Sequence, residues 1–155
     1  LNLIPFSKID FPKLFAAIDA KIITKKLDIF NYSSLIAHVR SSEKNAKIAG
    51  VNKLISFSRV DLEWLELKFN KAKVDFIISA PPLISKHSDK SAFMKVYDEL
   101  FYQSKLILSK RGKIILVARE STHFQQSALK HNFKLVQELP FNMGQSKRIA
   151  LVFSY

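Results

Sequence analysis

Asp28 and Asp61 each close a short apolar stretch, and Pro81-Pro82 follows a third, Val74-Asp75-Phe76-Ile77-Ile78. In an open parallel sheet, ligands bind outside the carboxyl ends of the strands, so residues at such ends are the first to weigh. A carboxylate at Asp28 suits a ribose, because it can accept from both hydroxyls, and one at Asp61 suits an adenine amino group. Ile29 and Leu62 stand beside them. Acids at strand ends are also ordinary helix caps, so their order along the chain says more than either one alone. The proline pair fixes a rigid backbone loop at the sheet rim, with Ala80 before it and Leu83 after it. Lys86 follows this loop, Arg119 ends a later strand, and Lys147 and Arg148 follow a hairpin loop. These four cations are placed to meet phosphates, which predicts binding that weakens steeply with salt.

Other chemistries find less support. The chain has no cysteine, which excludes disulfides, a thiolate nucleophile and cysteine-ligated metal. His38, His87, His123 and His131 lack ligand spacing, so no metal site is expected. Ser121-Thr122-His123 has no Gly-x-Ser-x-Gly frame, and helix capping by Ser121 or Thr122 is the plainer reading. Asp61, Glu63 and Glu66 read as the solvated face of a short helix. Only three glycines occur, against about 7% in an average domain, so no glycine-rich loop cradles a ligand. Of 18 aromatic residues 13 are Phe, and most fall on core stripes, so they are not read as base-stacking platforms.

The elements that must position these residues alternate between strand and helix. Strands are expected at residues 1–6, 21–29, 54–60, 74–78, 113–118, 133–139 and 147–153. Helices are expected at 11–20, from Ser33 or Ser34 to Gly50, and at 62–69, 91–108 and 122–132. Asp10 is a plausible cap for the first helix, Gly50 stops the second, and residues 110–112 form a turn. The run at 74–78 is apolar on both faces apart from Asp75, as a buried parallel strand would be. Connections of this length predict an α/β domain with a mostly parallel sheet, helices on both faces and a C-terminal antiparallel β-hairpin.

A chain of 155 residues with 48% apolar and 25% charged residues forms one ordinary domain, 1–155. No apolar run approaches the roughly 20 residues of a membrane span. The net charge of +12 is uneven: +4 over residues 1–52, +1 over 53–104 and +7 over 105–155. A basic patch near one end points to a polyanion partner, with solubility charge as the bland alternative. The chain opens on Leu1 and not Met, so it is expected to be a fragment of something longer or a degenerate copy. No secretory signal is visible, and a cytoplasmic setting fits.

The stretch from Asp28 to Leu83, with Asn45-Ala46 and Ala49-Gly50-Val51 in its middle, resembles class I S-adenosylmethionine-dependent methyltransferases. More narrowly, it is similar to the RNA guanine-N2 methyltransferases that carry an N-terminal THUMP domain. The resemblance covers roughly residues 20–155 and implies a Rossmann-like fold, S-adenosylmethionine as cofactor, tRNA or rRNA as partner and a THUMP-type or other partner domain. In that family an acid ends the second strand, another follows the third, and Asn-Pro-Pro-Tyr or Asp-Pro-Pro-Tyr follows the fourth. The matching positions are read as Asp28, Asp61 and Ser79-Ala80-Pro81-Pro82-Leu83. Ala80 lacks the acceptor that would take a hydrogen bond from the amine of the target base, and alternation aims Ser79 the other way. Leu83 replaces the aromatic residue that would stack on a flipped base. The glycine loop after the first strand is also missing, with Ser7-Lys8-Ile9-Asp10 there instead.

Three functions follow as expectations. One is an RNA methyltransferase domain. The second is a methyltransferase fold that has lost its chemistry and keeps RNA or protein binding. The third is a binding domain for another small metabolite, since fold alone never fixes function.

Overall fold

The computed structural model describes residues 9–22, 27–69, 74–84 and 89–155. The strand expected at 1–6, together with Ser7, Lys8, Lys86 and His87, lies outside the described residues. The first helix, α1 (Phe11–Asp19), starts as expected: Asp10 accepts from the Lys13 N–H at 3.0 Å, and Pro12 sits in the first turn. None of its residues is buried.

β1 (Ile29–Ser33) lies later in the chain than the expected 21–29. α2 (Ile36–Ile48) follows and ends in a Schellman motif. Gly50 takes φ +73°, its N–H reaches the Lys47 carbonyl, and the Val51 N–H reaches the Ala46 carbonyl at 2.9 Å. The Ala46…Ala49-Gly50-Val51 phrase therefore has a physical reason, a helix stop at a positive φ that residues with a side chain rarely adopt. β2 (Ile55–Arg59) pairs in parallel with β1, Ile29 opposite Ile55 and Ser33 opposite Arg59.

The helix expected at 62–69 is instead two 3-10 turns, Leu62–Trp64 and Glu66–Lys68, and Trp64 is exposed. Buried Gln103 holds this segment. It accepts from the Glu66 N–H at 3.0 Å and donates to the Glu63 carbonyl at 3.0 Å. β3 (Val74–Ser79) runs parallel to β4 (Leu108–Ala118). Phe76 and Ile78 are 62% and 72% exposed, so β3 is not the doubly buried strand its composition predicts. Among the described residues it pairs only with β4, and nothing covers that face.

α3 (Lys90–Ile107) leads directly into β4, its N-cap Asp89 accepting from Ser91 and Ala92. The turn expected at 110–112 is an irregularity within the strand. Val74 faces Leu108 but Phe76 faces Lys113, so β4 carries extra residues there. On α3 Val96 is exposed and its neighbour Tyr97 is buried.

α4 (Thr122–Lys130) ends on a second Schellman motif. Asn132 sits at φ 67°, with Asn132 N–H on the Leu129 carbonyl and Phe133 N–H on the Ala128 carbonyl. Ser121 is the N-cap residue, as expected, but its hydroxyl makes no capping bond to a backbone N–H and accepts from the Gln125 side chain instead. β5 (Lys134–Met143) and β6 (Ser146–Ser154) form the closing hairpin across Gly144-Gln145, with φ +60° at Gly144.

The described residues form a mixed α/β fold with parallel-rich sheet structure, four α-helices and a C-terminal antiparallel hairpin. The strands form a two-stranded sheet, β1-β2, and a four-stranded sheet in the order β3-β4-β6-β5. The main core lies where α3 and α4 cover β4 and β6: Phe101, Ile114, Leu116, Phe133, Leu151 and Phe153 are fully buried. The Lys130–Asp98 ion pair at 3.1 Å ties the two helices at the surface.

Candidate functional site

β3 and β4 run parallel with Ser79 opposite Leu116, so the proline loop and Arg119 share the carboxyl rim of the larger sheet. Pro81 is buried while Ala80 and Pro82 are exposed. The Tyr97 hydroxyl donates to the Pro82 carbonyl at 2.6 Å and anchors this loop to α3. Burial pushes the Tyr97 phenol up from its ordinary value; the Ile84 backbone hydrogen bond opposes this, and the Glu120 charge adds to it. Leu83 packs against the main core, which fixes the loop from its other end.

Three of the four cations expected to meet phosphates converge. The β4–β6 register places Ala118 opposite Ile149, so one step further Arg119 comes opposite Arg148. On the other side of β6, Arg148 faces Phe141 and Lys147 faces Asn142. Together with Pro140 these side chains line a groove of about 480 Å³. Arg148 is half-buried, and its Nη1 is buried without a hydrogen-bond partner. Two arginines and a lysine side by side repel one another, so a bound anion relieves the electrostatic cost and satisfies the orphaned donor. Proximity of this kind depends on strand register, which charge counting along the chain could only hint at.

The acids are not brought together. Asp28 and Ile29 stand at the amino end of β1, because the strand runs from Ile29 to Ser33. Asp61 and Leu62 lie past the carboxyl end of the parallel β2. Five residues of strand separate the two levels, roughly 16 Å. Asp28 therefore cannot serve as the acid at the strand's carboxyl end. That position belongs to Ser33, whose hydroxyl accepts from the Leu35 N–H at 3.3 Å and lies 3.5 Å from His38 Nδ1. The misplacement came from the apolar Ile22, Ile23 and Leu27, which resemble a strand in composition. Asp61 and Leu62 are half-buried, and Leu62 packs against the main core.

Of the three polar groups that the resemblance implies for S-adenosylmethionine chemistry, the chain keeps one. Asp61 remains, Ser33 offers a hydroxyl in place of a carboxylate, and Ala80 offers no acceptor. These residues do not fit a complete cofactor and base site. Among the described residues no group of three His, Cys, Asp or Glu side chains could hold a metal ion. No described helix is long and apolar enough to cross a membrane.

A second cavity, missed in the sequence, adjoins the groove at Arg119. It brings Leu83 and Tyr97 together with Glu120, His123 and Phe124. The only sequence signal was the spacing of Glu120 and His123 across one helical turn at the start of α4.

Comparison with known proteins agrees with this architecture. The model of the UPF0020 family, described as an RMKL-like methyltransferase domain, matches residues 12–149. TrmN from Thermus thermophilus superposes with a TM-score of 0.69 at 18% identity, over 91% of this chain and 40% of its own. SMU.472 in complex with SAH gives 0.71 at 20% identity, over 92% and 36%. The B. subtilis M1A22 tRNA methyltransferase TrmK gives 0.60 at 17%, over 82% and 49%. The chain thus spans less than half the length of each of these proteins, and no curated protein matches it in sequence. With the family model covering most of its length, this chain belongs to the RMKL-like methyltransferase domains and has the class I methyltransferase fold.

Proposed function

We propose that this domain binds tRNA or rRNA along the groove of Arg119, Lys147 and Arg148, and that by itself it does not transfer a methyl group. The unpartnered Nη1 of Arg148, in a groove that Arg119 and Lys147 also line, is the observation that carries the reading. The net charge of +7 over residues 105–155 gives the groove a long-range attraction for a polyanion. The tRNA methyltransferase TrmK among the structural neighbours supports RNA as that polyanion. Lys86, which follows the proline loop in sequence, is proposed as a further phosphate contact. Loss of chemistry is supported by Ala80, Leu83 and Ser33 at the positions where an acceptor, an aromatic ring and an acid belong. Asp61 and Leu62 keep a remnant of the adenine end of an S-adenosylmethionine pocket. A THUMP-type or other partner domain would add RNA contacts, and a cytoplasmic setting suits the substrate.

The test is a titration of bulk tRNA across a salt series, beside calorimetry with S-adenosylmethionine and a labelled-methyl assay. Expected are steeply salt-sensitive tRNA binding and no methyl transfer. Charge reversal of Arg119, Lys147 and Arg148 should weaken binding more than tenfold and flatten the salt slope by about three ions. An unchanged slope would overturn the groove. Micromolar cofactor binding with transfer of label to tRNA would overturn the loss of chemistry and restore the enzyme reading.

A further inference from the structure

Among the described residues that line the cationic groove, one carries an aromatic ring, Phe141. Phe101, Phe133 and Phe153 are fully buried in the main core, whereas Phe141 is 39% exposed. Its placement follows from alternation along the hairpin. Leu151 and Phe153 of β6 point into the core that α3 and α4 cover, so Arg148 and Ala150 point to the other face. Directly opposite residues share a face, which puts Phe141 beside Arg148 and Leu139 beside Ala150. Leu139 and Met143 flank the ring on that face and are 46% and 56% exposed. On the far side of β6, Arg119 comes opposite Arg148. One row across the sheet therefore reads ring, guanidinium, guanidinium, at the spacing of about 4.8 Å between neighbouring strands.

We propose that the hairpin face of this groove takes single-stranded RNA, one base stacking on the Phe141 ring while Arg148 and Arg119 hold adjoining phosphates. This rests on the RNA reading above and adds to it the form of RNA that the groove selects. A duplex can neutralise the same arginines, but its bases are already stacked on one another and their faces are closed to the ring. A free phosphate or an acidic peptide would satisfy the unpartnered Arg148 Nη1 and leave Leu139, Phe141 and Met143 in water. An unpaired strand supplies both parts at once, negative charge for the guanidiniums and a flat face for the ring. Every base has such a face, so Phe141 distinguishes unpaired from paired RNA and is indifferent to sequence.

The experiment follows fluorescence anisotropy across a salt series, with the full chain and three labelled probes. These are a single-stranded RNA of about twelve nucleotides, its duplex with the complementary strand, and an abasic oligomer of the same length. The single strand should bind at least tenfold more tightly than the abasic oligomer. Phe141→Ala should weaken the single strand about tenfold, and far more than it weakens the other two probes, with the single strand's salt slope unmoved. Phe141→Trp, a larger platform, should keep or tighten single-strand binding. Phe141→Leu restores apolar bulk without a π face and should bind as weakly as Phe141→Ala, whereas a purely structural role would be rescued by Leu. Equal binding of RNA and abasic oligomer, equal losses on single strand and duplex, or full rescue by Phe141→Leu would each overturn the proposal. Salt-sensitive RNA binding that Phe141→Ala leaves untouched removes this inference alone; absence of salt-sensitive RNA binding removes the reading beneath it as well.

Discussion

At Gly112 a single missing Cβ decides how β4 passes its irregularity. A Cβ built there would stand 2.5 Å from Leu108 Cγ and 3.0 Å from the Ser109 carbonyl oxygen, and both Gly112 and Leu108 are buried. Gly112→Ala should therefore destabilise the fold by about 1–3 kcal/mol through overpacking, read as a lowered melting temperature. On the proposed function, residue chemistry also says which contacts to the cofactor are missing. Ser33→Asp should raise S-adenosylmethionine affinity tenfold or more in calorimetry, because a carboxylate would again face the ribose hydroxyls. Ala80→Asn should leave that affinity unchanged, and alone should yield no methyl transfer from labelled cofactor. Transfer by Ala80→Asn would place the whole lesion at the proline loop. Ala80 and Leu83 were legible as departures because the proline pair marks their register; Ser33 was not, because nothing in the chain announces where β1 ends.

Elements are held in place by a few polar anchors that periodicity does not reveal. Gln103 joins α3 to both 3-10 turns after β2, and its Nε2 also donates to Glu99 at 2.9 Å. Gln103→Leu strips partners from the Glu66 N–H and the Glu63 carbonyl, a loss of about 1–3 kcal/mol in chemical denaturation. Gln103→Glu should cost more, since it removes the donor and sets a second carboxylate beside Glu99. The helices themselves were well marked in the chain: Asp10 and Gly50 punctuate α1 and α2 as their residue types require. The segment at 62–69 was misread because Trp64, Leu65 and Phe69 fall at helical spacing. Only Phe69 of the three is buried, and Gln103 holds the backbone in two tighter turns.

Across the whole molecule, burial raises the phenol pKa of Tyr32, Tyr97 and Tyr155 above the ordinary 10.0. In the unfolded chain these groups lose their protons first. Their contribution to stability is therefore complete below pH 10.0 and is lost as pH climbs through the raised folded values. The melting temperature should fall on this alkaline limb, and Tyr97→Phe should shallow it while lowering stability at neutral pH through the lost 2.6 Å bond to Pro82. Alternation of apolar runs with capped helices, the closing hairpin and the basic bias of the last third were all determined by the sequence itself, because each rests on local period or on summed charge. Tertiary structure alone decided which charges meet. Arg119 reaches Arg148 through the antiparallel pairing of β4 with β6, and Glu120 with His123 shares a cavity with Leu83, far away in the chain. It also separated Asp28 from Asp61, since a strand that starts later in the chain leaves Asp28 at its amino end while Asp61 lies past the carboxyl end of its parallel neighbour.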